Sequence, residues 1–194
     1  TEEQQVIEEH AREFAQRVIA PGAAHRDETS SFDRQLLKEL AENGFLGMLV
    51  PESYGGVAMG YTNYVLVNRQ LATACASTAV ITGVCNLTAS AVDEFGSDEL
   101  KAEVLPEICG ALDNRAAAFC LSEPHCGSDA AALKATARRD GDDYILNGTK
   151  QWITNGAISG WYLVMARTGT GPGGISAFMV RAGTPGLVIG KKED

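Results

Sequence analysis

The feature that most constrains the fold of this 194-residue chain is a change in hydrophobic period near Asn114. Before that point, apolar residues such as Val6, Phe14 and Val18 recur at helical spacing and share one face of an α-helix. After it, apolar and polar residues alternate, which is typical of strands with one buried face. Because helices and strands stand in separate blocks, the sequence predicts an α+β fold or two domains rather than a βαβ sheet.

The first block predicts an all-helical domain over residues 1–113. Its helices are expected near positions 6–18, 32–40, 61–76, 77–95 and 98–109. Pro21 and Gly22 are expected to end the first helix, and Gly44 to end the second in the left-handed conformation. Ser97 is placed to cap the last helix of the block.

The second block, residues 114–194, predicts a domain of strands joined by short turns. The strands are expected near positions 116–122, 133–138, 144–146, 151–154, 161–165, 175–180 and 187–189. Asp140 and Gly141 have the composition of a tight hairpin turn between the second and third of these strands.

Composition narrows the classes of function. The formal net charge is −9 and the chain has no Lys/Arg-rich run, which argues against a nucleic-acid partner. The stretch from Gln70 to Val92 carries no Asp, Glu, Lys or Arg, but Gln70, Asn86 and many Ser and Thr favour buried helices over an integral membrane segment. The five cysteines form no C-x-x-C pair, so we expect free thiols and no metal site.

The first candidate site is the segment "LSEPHCGSD" at residues 121–129. Its His125 and Cys126 are neighbours, and neighbours on an extended chain point to opposite sides, so no Cys–His nucleophile is expected. Gly127 and Ser128 follow a strand-like segment, where a glycine backbone, successive N–H groups and a hydroxyl can hold a phosphate. A Gly-Ser pair is by itself more often only a turn, so both interpretations stay open from these residues alone.

A second candidate is the run Trp152, Ile153 and Thr154. An aromatic plane and a hydroxyl near a strand end can stack on a flat heteroaromatic ring and hydrogen-bond to it. The alternative is that Trp152 and Ile153 are core residues of a hairpin. The chain has no G-x-G-x-x-G between a strand and a helix, and "GTGPGG" at residues 169–174 lacks the Gly-Lys-Ser/Thr ending of a P-loop, so neither nucleotide motif is supported.

Several segments in a fixed order resemble the acyl-CoA dehydrogenase family. The strongest are "FCLSEPHCGSD" at residues 119–129 and "LNGTKQWITNG" at residues 146–156. The segments "VPESYGG", "CAST", "GISAFMV" and "TPGLVIGKKED" also match, and the finer similarity is to short-chain, butyryl-CoA-type members. The resemblance implies an N-terminal all-helical domain, an antiparallel β-barrel-like middle domain and a C-terminal helical bundle, the last of which is absent from these 194 residues.

The resemblance also implies a reaction. The family desaturates an acyl-CoA thioester between its α and β carbons, with FAD receiving the hydride at N5 and an electron-transfer flavoprotein as the usual acceptor. The family's catalytic base is a glutamate of the C-terminal bundle, so we assign no catalytic residue here and expect the 194 residues alone to be inactive and to hold FAD poorly. The full-length protein is expected to be a homo-oligomer, tetramer or dimer, of the bacterial cytoplasm or the mitochondrial matrix.

Carried onto this sequence, the family pattern places eight residues at the cofactor: Phe119, Leu121, Ser122, Gly127, Ser128, Trp152, Ile153 and Thr154. The Leu121 backbone and Ser122 hydroxyl would face the flavin pyrimidine, where donors stabilise the charge that reduction adds. Thr154 would donate near N5 and O4, while Trp152 and Ile153 would flank the ring.

In the same family pattern Gly127 and Ser128 would meet the pyrophosphate, and Ser128 would also lie close to the acyl-CoA substrate. Glu123 and Asp129 are interpreted as structural. The two residues before Gly127 depart from the family's small residues, and we expect His125 to point to solvent or to a neighbouring subunit.

Three alternatives to the dehydrogenase remain: an acyl-CoA oxidase, a flavin monooxygenase of the same fold, and a truncated, non-catalytic binding or assembly module. The first two differ from a dehydrogenase in the oxygen reactivity of the reduced flavin, which these residues do not reveal.

Overall fold

The computed structural model describes residues 1–192, so Glu193 and Asp194, which end the "TPGLVIGKKED" segment, lie outside the described residues. The chain forms two compact units, Thr1–Ala116 and Ala117–Asp194. The sequence placed the domain boundary after residue 113, and the division by contacts falls after Ala116. The predicted fold class is confirmed, because the first unit is helical and the second contains a sheet.

The first unit contains six α-helices within the described residues. They are α1 (Glu2–Phe14), α2 (Ala20–Glu28), α3 (Arg34–Glu42), α4 (Gly60–Ala74), α5 (Ala76–Phe95) and α6 (Asp98–Cys109), with a π-helical turn at Ala15–Ile19. Two predicted boundaries are observed: the Ser97 hydroxyl accepts from the Leu100 N–H at 3.3 Å, and Gly44 has a φ of 73°. No helix among residues 1–192 is both long and apolar enough to cross a membrane.

The prediction that Pro21 ends the first helix is wrong. The helical path continues from α1 through the π-helical turn into α2, with Pro21 in the first turn of α2. Proline has no N–H to donate, and the first turn is where a helix tolerates that loss. In the widened turn the Ala20 N–H donates to the Ala15 carbonyl, five residues back, so the hydrogen-bonding pattern changes just before the proline.

Asn86 is the polar centre of the helical unit's core. Its side chain is 1% exposed, accepts from the Met48 N–H at 2.9 Å and donates to the Phe45 carbonyl at 2.8 Å. These bonds satisfy backbone groups of the connector after α3, which have no partner in a helix or strand. A buried amide in α5 therefore fixes an irregular segment whose Phe45, Leu46 and Met48 are all buried in the core.

The second unit carries a five-stranded mixed sheet. Its strands are β1 (Ala116–Cys120), β2 (Thr136–Asp140), β3 (Asp143–Asn147), β4 (Ser159–Arg167) and β5 (Ile175–Arg181). The order is β1-β4-β2-β3, and β5 pairs with β4. Strands β2 and β3 form the predicted hairpin, with Gly141 at a φ of 64°, and β4 and β5 pair antiparallel. One pairing is parallel, where Thr136 of β2 meets Arg167 of β4.

Two of the predicted strands are not strands in the structure. Residues 151–154 form an irregular segment because Trp152 and Asn155 have φ values of 60° and 66°, in the left-handed region that a strand excludes. Residues 187–189 follow a turn in which the Leu187 N–H donates to the Thr184 carbonyl at 3.0 Å, and Val188 is 84% exposed. Apolar residues alone therefore misled the prediction at both places.

Candidate functional site

The segment at residues 121–129 begins where β1 ends and turns back on itself. Glu123 and Cys126 exchange two backbone hydrogen bonds, at 2.8 and 3.1 Å, with Pro124 and His125 at the corner between them. Both Glu123 and Cys126 are buried, whereas the next two residues, Gly127 and Ser128, are exposed. The turn thus presents the Gly-Ser pair at the surface of the second unit.

Glu123 holds this turn in place with its carboxylate. The residue as a whole is only 4% exposed. One carboxylate oxygen accepts from the Lys150 ammonium at 2.8 Å and from the Ala135 N–H at 2.9 Å, and the other from the Lys134 N–H at 2.7 Å. Burial by itself raises the pKa of Glu123, but these donors outweigh it, and the pKa lies below its usual value. Glu123 is therefore a structural anion, as the sequence predicted.

His125 and Cys126 do not have the extended geometry that the sequence predicted. The chain there is a turn, not extended, and the ligand atoms of Glu123, His125 and Cys126 lie within 4.8 Å of one another. No hydrogen bond joins His125 to Cys126; the imidazole instead lies 3.3 Å from the Ala132 carbonyl and 3.5 Å from the Glu123 carboxylate. A metal ion would have to compete with Lys150 for the Glu123 carboxylate, so the cluster is a poor metal site.

Residues 150–156 run antiparallel to the end of β1 without joining the sheet as a strand. The Lys150 ammonium donates to the Leu121 carbonyl at 3.0 Å, and the Gln151 N–H donates to the Ser122 carbonyl at 2.9 Å. Further along, the Asn155 side chain donates to the Ala117 carbonyl at 2.9 Å. The segment is therefore fastened to β1 and to the residues that follow it at positions 150, 151 and 155.

The two apolar residues of this segment have different environments. Ile153 packs against the buried cluster of Ala118, Cys120 and Tyr162. Trp152 is 66% exposed and has a φ of 60°, a conformation that costs a bulky residue about 1–2 kcal/mol. Ile153 is therefore a core residue, whereas Trp152 has an exposed ring on a strained backbone.

The candidate hydroxyls carry unused hydrogen-bonding capacity. Among residues 1–192, the side chains of Ser122, Ser128 and Thr154 have no hydrogen-bond partner. Ser122 and Thr154 are half-buried, while Ser128 is exposed. Beside Gly127, an added Cβ would meet nothing within 4 Å, so the backbone there is open to a ligand. All the predicted residues lie on two adjoining segments, with Phe119 half-buried in β1.

Two matches to known domains decide the family. Residues 1–111 match the model of the acyl-CoA dehydrogenase N-terminal domain, and residues 118–194 match that of the middle domain. The chain belongs to the acyl-CoA dehydrogenase family.

Full-length relatives of this family member are about twice as long. The isobutyryl-CoA dehydrogenase of Dictyostelium discoideum mitochondria is 40% identical over 196 residues, which cover 100% of this chain and 47% of that protein. The structure of butyryl-CoA dehydrogenase from Megasphaera elsdenii is 33% identical with a TM-score of 0.90, covering 100% of this chain and 52% of that one. Glutaryl-CoA dehydrogenase from Mycobacterium smegmatis in complex with FADH2 is 31% identical with a TM-score of 0.90, covering 97% and 47%.

Two cationic side chains that organise the site, Lys150 and Arg167, were not predicted from the sequence of this acyl-CoA dehydrogenase family member. Lys150 is the only charged residue between Asp143 and Arg167, and a lone charge in an apolar stretch is a signal of a buried ion pair. Arg167 donates to the carbonyls of Ala131 and Leu133 and, at 2.8 Å, to that of Gly171. Arg167 thereby fixes the polypeptide that follows Ser128, and no sequence pattern predicted this.

Proposed function

We propose that the second unit of this chain holds FAD for the desaturation of an acyl-CoA thioester. The observation that carries the proposal is the pairing of Trp152, exposed on a strained backbone, with unpartnered hydroxyls on the adjoining segment. A non-glycine residue held at positive φ is typical of functional sites, because the surrounding structure has to stabilise the strain. When bound, FAD would supply the acceptor for the hydride that leaves the β-carbon of the substrate.

The residues present fit the chemistry of this cofactor. A flat heteroaromatic ring needs an apolar face to pack on, which Trp152 offers, and donors at its polar edge, which Ser122 and Thr154 offer. A diphosphate needs N–H groups and a hydroxyl with room for close approach, which Gly127 and Ser128 offer. The site therefore contains donors for both ends of a flavin dinucleotide.

Each residue has a role of its own in the proposal. Leu121, through its backbone, and Ser122 would bind the pyrimidine edge and stabilise the negative charge that reduction adds there. Thr154 would donate to the opposite edge of the ring, with Phe119 and Ile153 completing the apolar wall.

The phosphate end of the site is formed by Gly127 and Ser128 in the same proposal. Ser128 would also contact the acyl-CoA, because an exposed hydroxyl next to the phosphates can serve two ligands. Glu123 cannot act as the base that removes the α-proton, since its carboxylate is buried and bonded to three donors. No catalytic residue is assigned in this chain.

The partners are proposed by analogy with the family. We infer that the substrate is an acyl-CoA, that an electron-transfer flavoprotein accepts the electrons, and that the full-length protein is a homo-oligomer, tetramer or dimer. The place of action would be the bacterial cytoplasm or the mitochondrial matrix. FAD binding by the 194 residues alone is expected to be weak, and desaturation by them is not expected.

The test is equilibrium dialysis of FAD against the 194-residue chain and two variants. Trp152→Ala removes the exposed ring and is expected to weaken binding about tenfold, the equivalent of about 1.4 kcal/mol of stacking. Tyr144→Ala is the matched control, because Tyr144 is also an exposed aromatic residue of the second unit, at 45% exposure. Equal weakening by both variants, or no FAD binding by the unaltered chain at any concentration, would contradict the proposal.

A further inference from the structure

Lys150 joins the 150–156 segment to the 121–129 segment through its side chain. Its ammonium donates to the Leu121 carbonyl at 3.0 Å and to the Glu123 carboxylate at 2.8 Å. The lysine side chain is only 11% exposed and that of Glu123 2%, so the ion pair is almost fully withdrawn from water. Burying two charges is costly, and the pair offsets part of that cost by bonding to the Lys134 and Ala135 N–H groups and to the Leu121 carbonyl.

The position of the ammonium suggests what it does for the cofactor. The Leu121 carbonyl and the Ser122 N–H belong to one peptide group. A charge-assisted bond to the carbonyl polarises that peptide, which makes the N–H a stronger donor. The Ser122 N–H has no partner among residues 1–192, so the strengthened donor remains available to a ligand.

Lys150 also determines where the strained segment begins. Between Lys150, which is bonded to Leu121, and Asn155, which is bonded to Ala117, only four residues span the gap. With both ends fastened to β1 and its extension, Trp152 is held at a φ of 60° and its ring stays exposed. Loss of the Lys150 bonds would leave this end held by the Gln151 N–H bond to the Ser122 carbonyl, a weaker fastening from which the backbone can relax.

We propose that Lys150 is a positioning residue for the cofactor, which locks the Leu121–Ser122 peptide to the Trp152 segment and polarises that peptide toward the flavin. The proposal rests on the proposed function, because it presupposes that FAD binds between these segments. A positioning role differs from a purely structural role in one respect. When the ion pair is replaced by a neutral pair, the loss of FAD affinity should be larger than the loss of stability accounts for.

The test compares the unaltered chain with the double variant Lys150→Met, Glu123→Gln. The double variant removes both buried charges, but a glutamine amide at position 123 offers one acceptor oxygen where the carboxylate offers two, so the urea midpoint of unfolding should fall, though by less than in Lys150→Met alone. The FAD dissociation constant, measured by equilibrium dialysis, should still rise about tenfold, because the bond to the Leu121 carbonyl is lost. Lys134→Met is the matched control, since it removes one positive charge from an exposed side chain and should leave the affinity unchanged.

The outcomes separate the two proposals. Absence of FAD binding by the unaltered chain overturns the proposed function itself. Binding by the unaltered chain with an equal affinity of the double variant overturns the role of Lys150 and leaves the proposed function standing. Should the double variant fail to fold by circular dichroism, Lys150→Gln with Glu123→Gln replaces it, because two amides can hydrogen-bond to each other, and the same expectations apply.

Discussion

The two tryptophans of this chain lie in two contrasting regions of the second unit. Trp161 belongs to the β4–β5 ladder, is 6% exposed, pairs with Arg181 and has that guanidinium 4.7 Å from its ring centroid. Trp152 lies in the 150–156 segment, outside the ladder, with 66% of its surface exposed and a φ of 60°. One tryptophan fits the rules for a strand residue, and the other breaks them.

The contrast shows how the backbone of each region is held. In the ladder, regular pairing satisfies the backbone groups that the two strands turn toward each other. In the 150–156 segment, the Lys150 side chain donates to the Leu121 carbonyl and the Asn155 side chain to the Ala117 carbonyl, so side chains replace part of the ladder. A sequence that breaks local rules at one place and supports the break with buried polar side chains is typical of a functional site.

The largest expected effect comes from breaking the side-chain support of the irregular segment. Lys150→Met leaves the Glu123 carboxylate buried without its cation, and the free energy of unfolding should fall by about 3–5 kcal/mol. Urea denaturation followed by circular dichroism measures it. Lys134→Met, at an exposed side chain, should change the free energy by less than about 0.5 kcal/mol. A loss below about 1 kcal/mol for Lys150→Met would mean that the ion pair is not supporting the segment.

A smaller effect compares the two tryptophan positions directly. At position 152, glycine should be more stable than alanine by about 1 kcal/mol, because glycine adopts positive φ without strain. At position 161, in a strand, the order should reverse, with alanine more stable than glycine by about 0.5–1 kcal/mol. Thermal unfolding of the glycine and alanine variants at positions 152 and 161 measures both differences. If glycine and alanine rank in the same order of stability at both positions, the contrast between the two regions is wrong.

A third effect depends on pH. The lowered pKa of Glu123 means that its ionised form stabilises the fold above the unfolded-state pKa, about 4.3 for a glutamate. This stabilisation should be lost as the pH falls from there through the folded-state pKa. The variant Lys150→Met, Glu123→Gln has no carboxylate at position 123, so its stability should not show this decrease at acidic pH. Urea midpoints of both chains across the acidic range provide the measurement, and parallel pH profiles would contradict the assignment.

The smallest effect on stability is expected at Gly127. An added Cβ there meets nothing within 4 Å and the residue is exposed, so Gly127→Ala should change the free energy of unfolding by less than about 0.5 kcal/mol. The FAD affinity should nevertheless fall, because the methyl group occupies the space that the pyrophosphate needs. Dialysis and urea denaturation on one preparation measure both quantities. An unchanged affinity would place the phosphates elsewhere.

The parts of the fold that were predicted correctly are those that depend on local chemistry. Ser97 caps its helix, Gly44 takes the left-handed conformation, and Asp140 with Gly141 forms the hairpin, each through atoms a few residues apart. Pro21 misled the prediction, because a proline that ends one helical pattern can also stand in the first turn of the next.

The parts of the site that were not predicted depend on residues far apart in sequence. Lys150 and Glu123 are 27 positions apart, and Arg167 bonds to carbonyls 34 and 36 positions away. No periodicity encodes such contacts. The left-handed conformation of Trp152 was not predicted because its neighbours have the composition of a strand. The bonds that hold this segment come from Lys150 and Asn155 to carbonyls of residues 121 and 117, which are far away in sequence.

The central claim, that FAD binds between the 119–128 and 152–154 segments, is tested most directly by amide and indole NMR spectra of the ¹⁵N-labelled chain during FAD addition. The chain has two tryptophans, so two indole signals report on the two regions. We predict that the indole signal of Trp152 and the amides of Ser122, Gly127 and Thr154 shift with FAD, while the indole signal of Trp161 does not. Shifts confined to other residues of the second unit, or to the helical unit, would contradict the account.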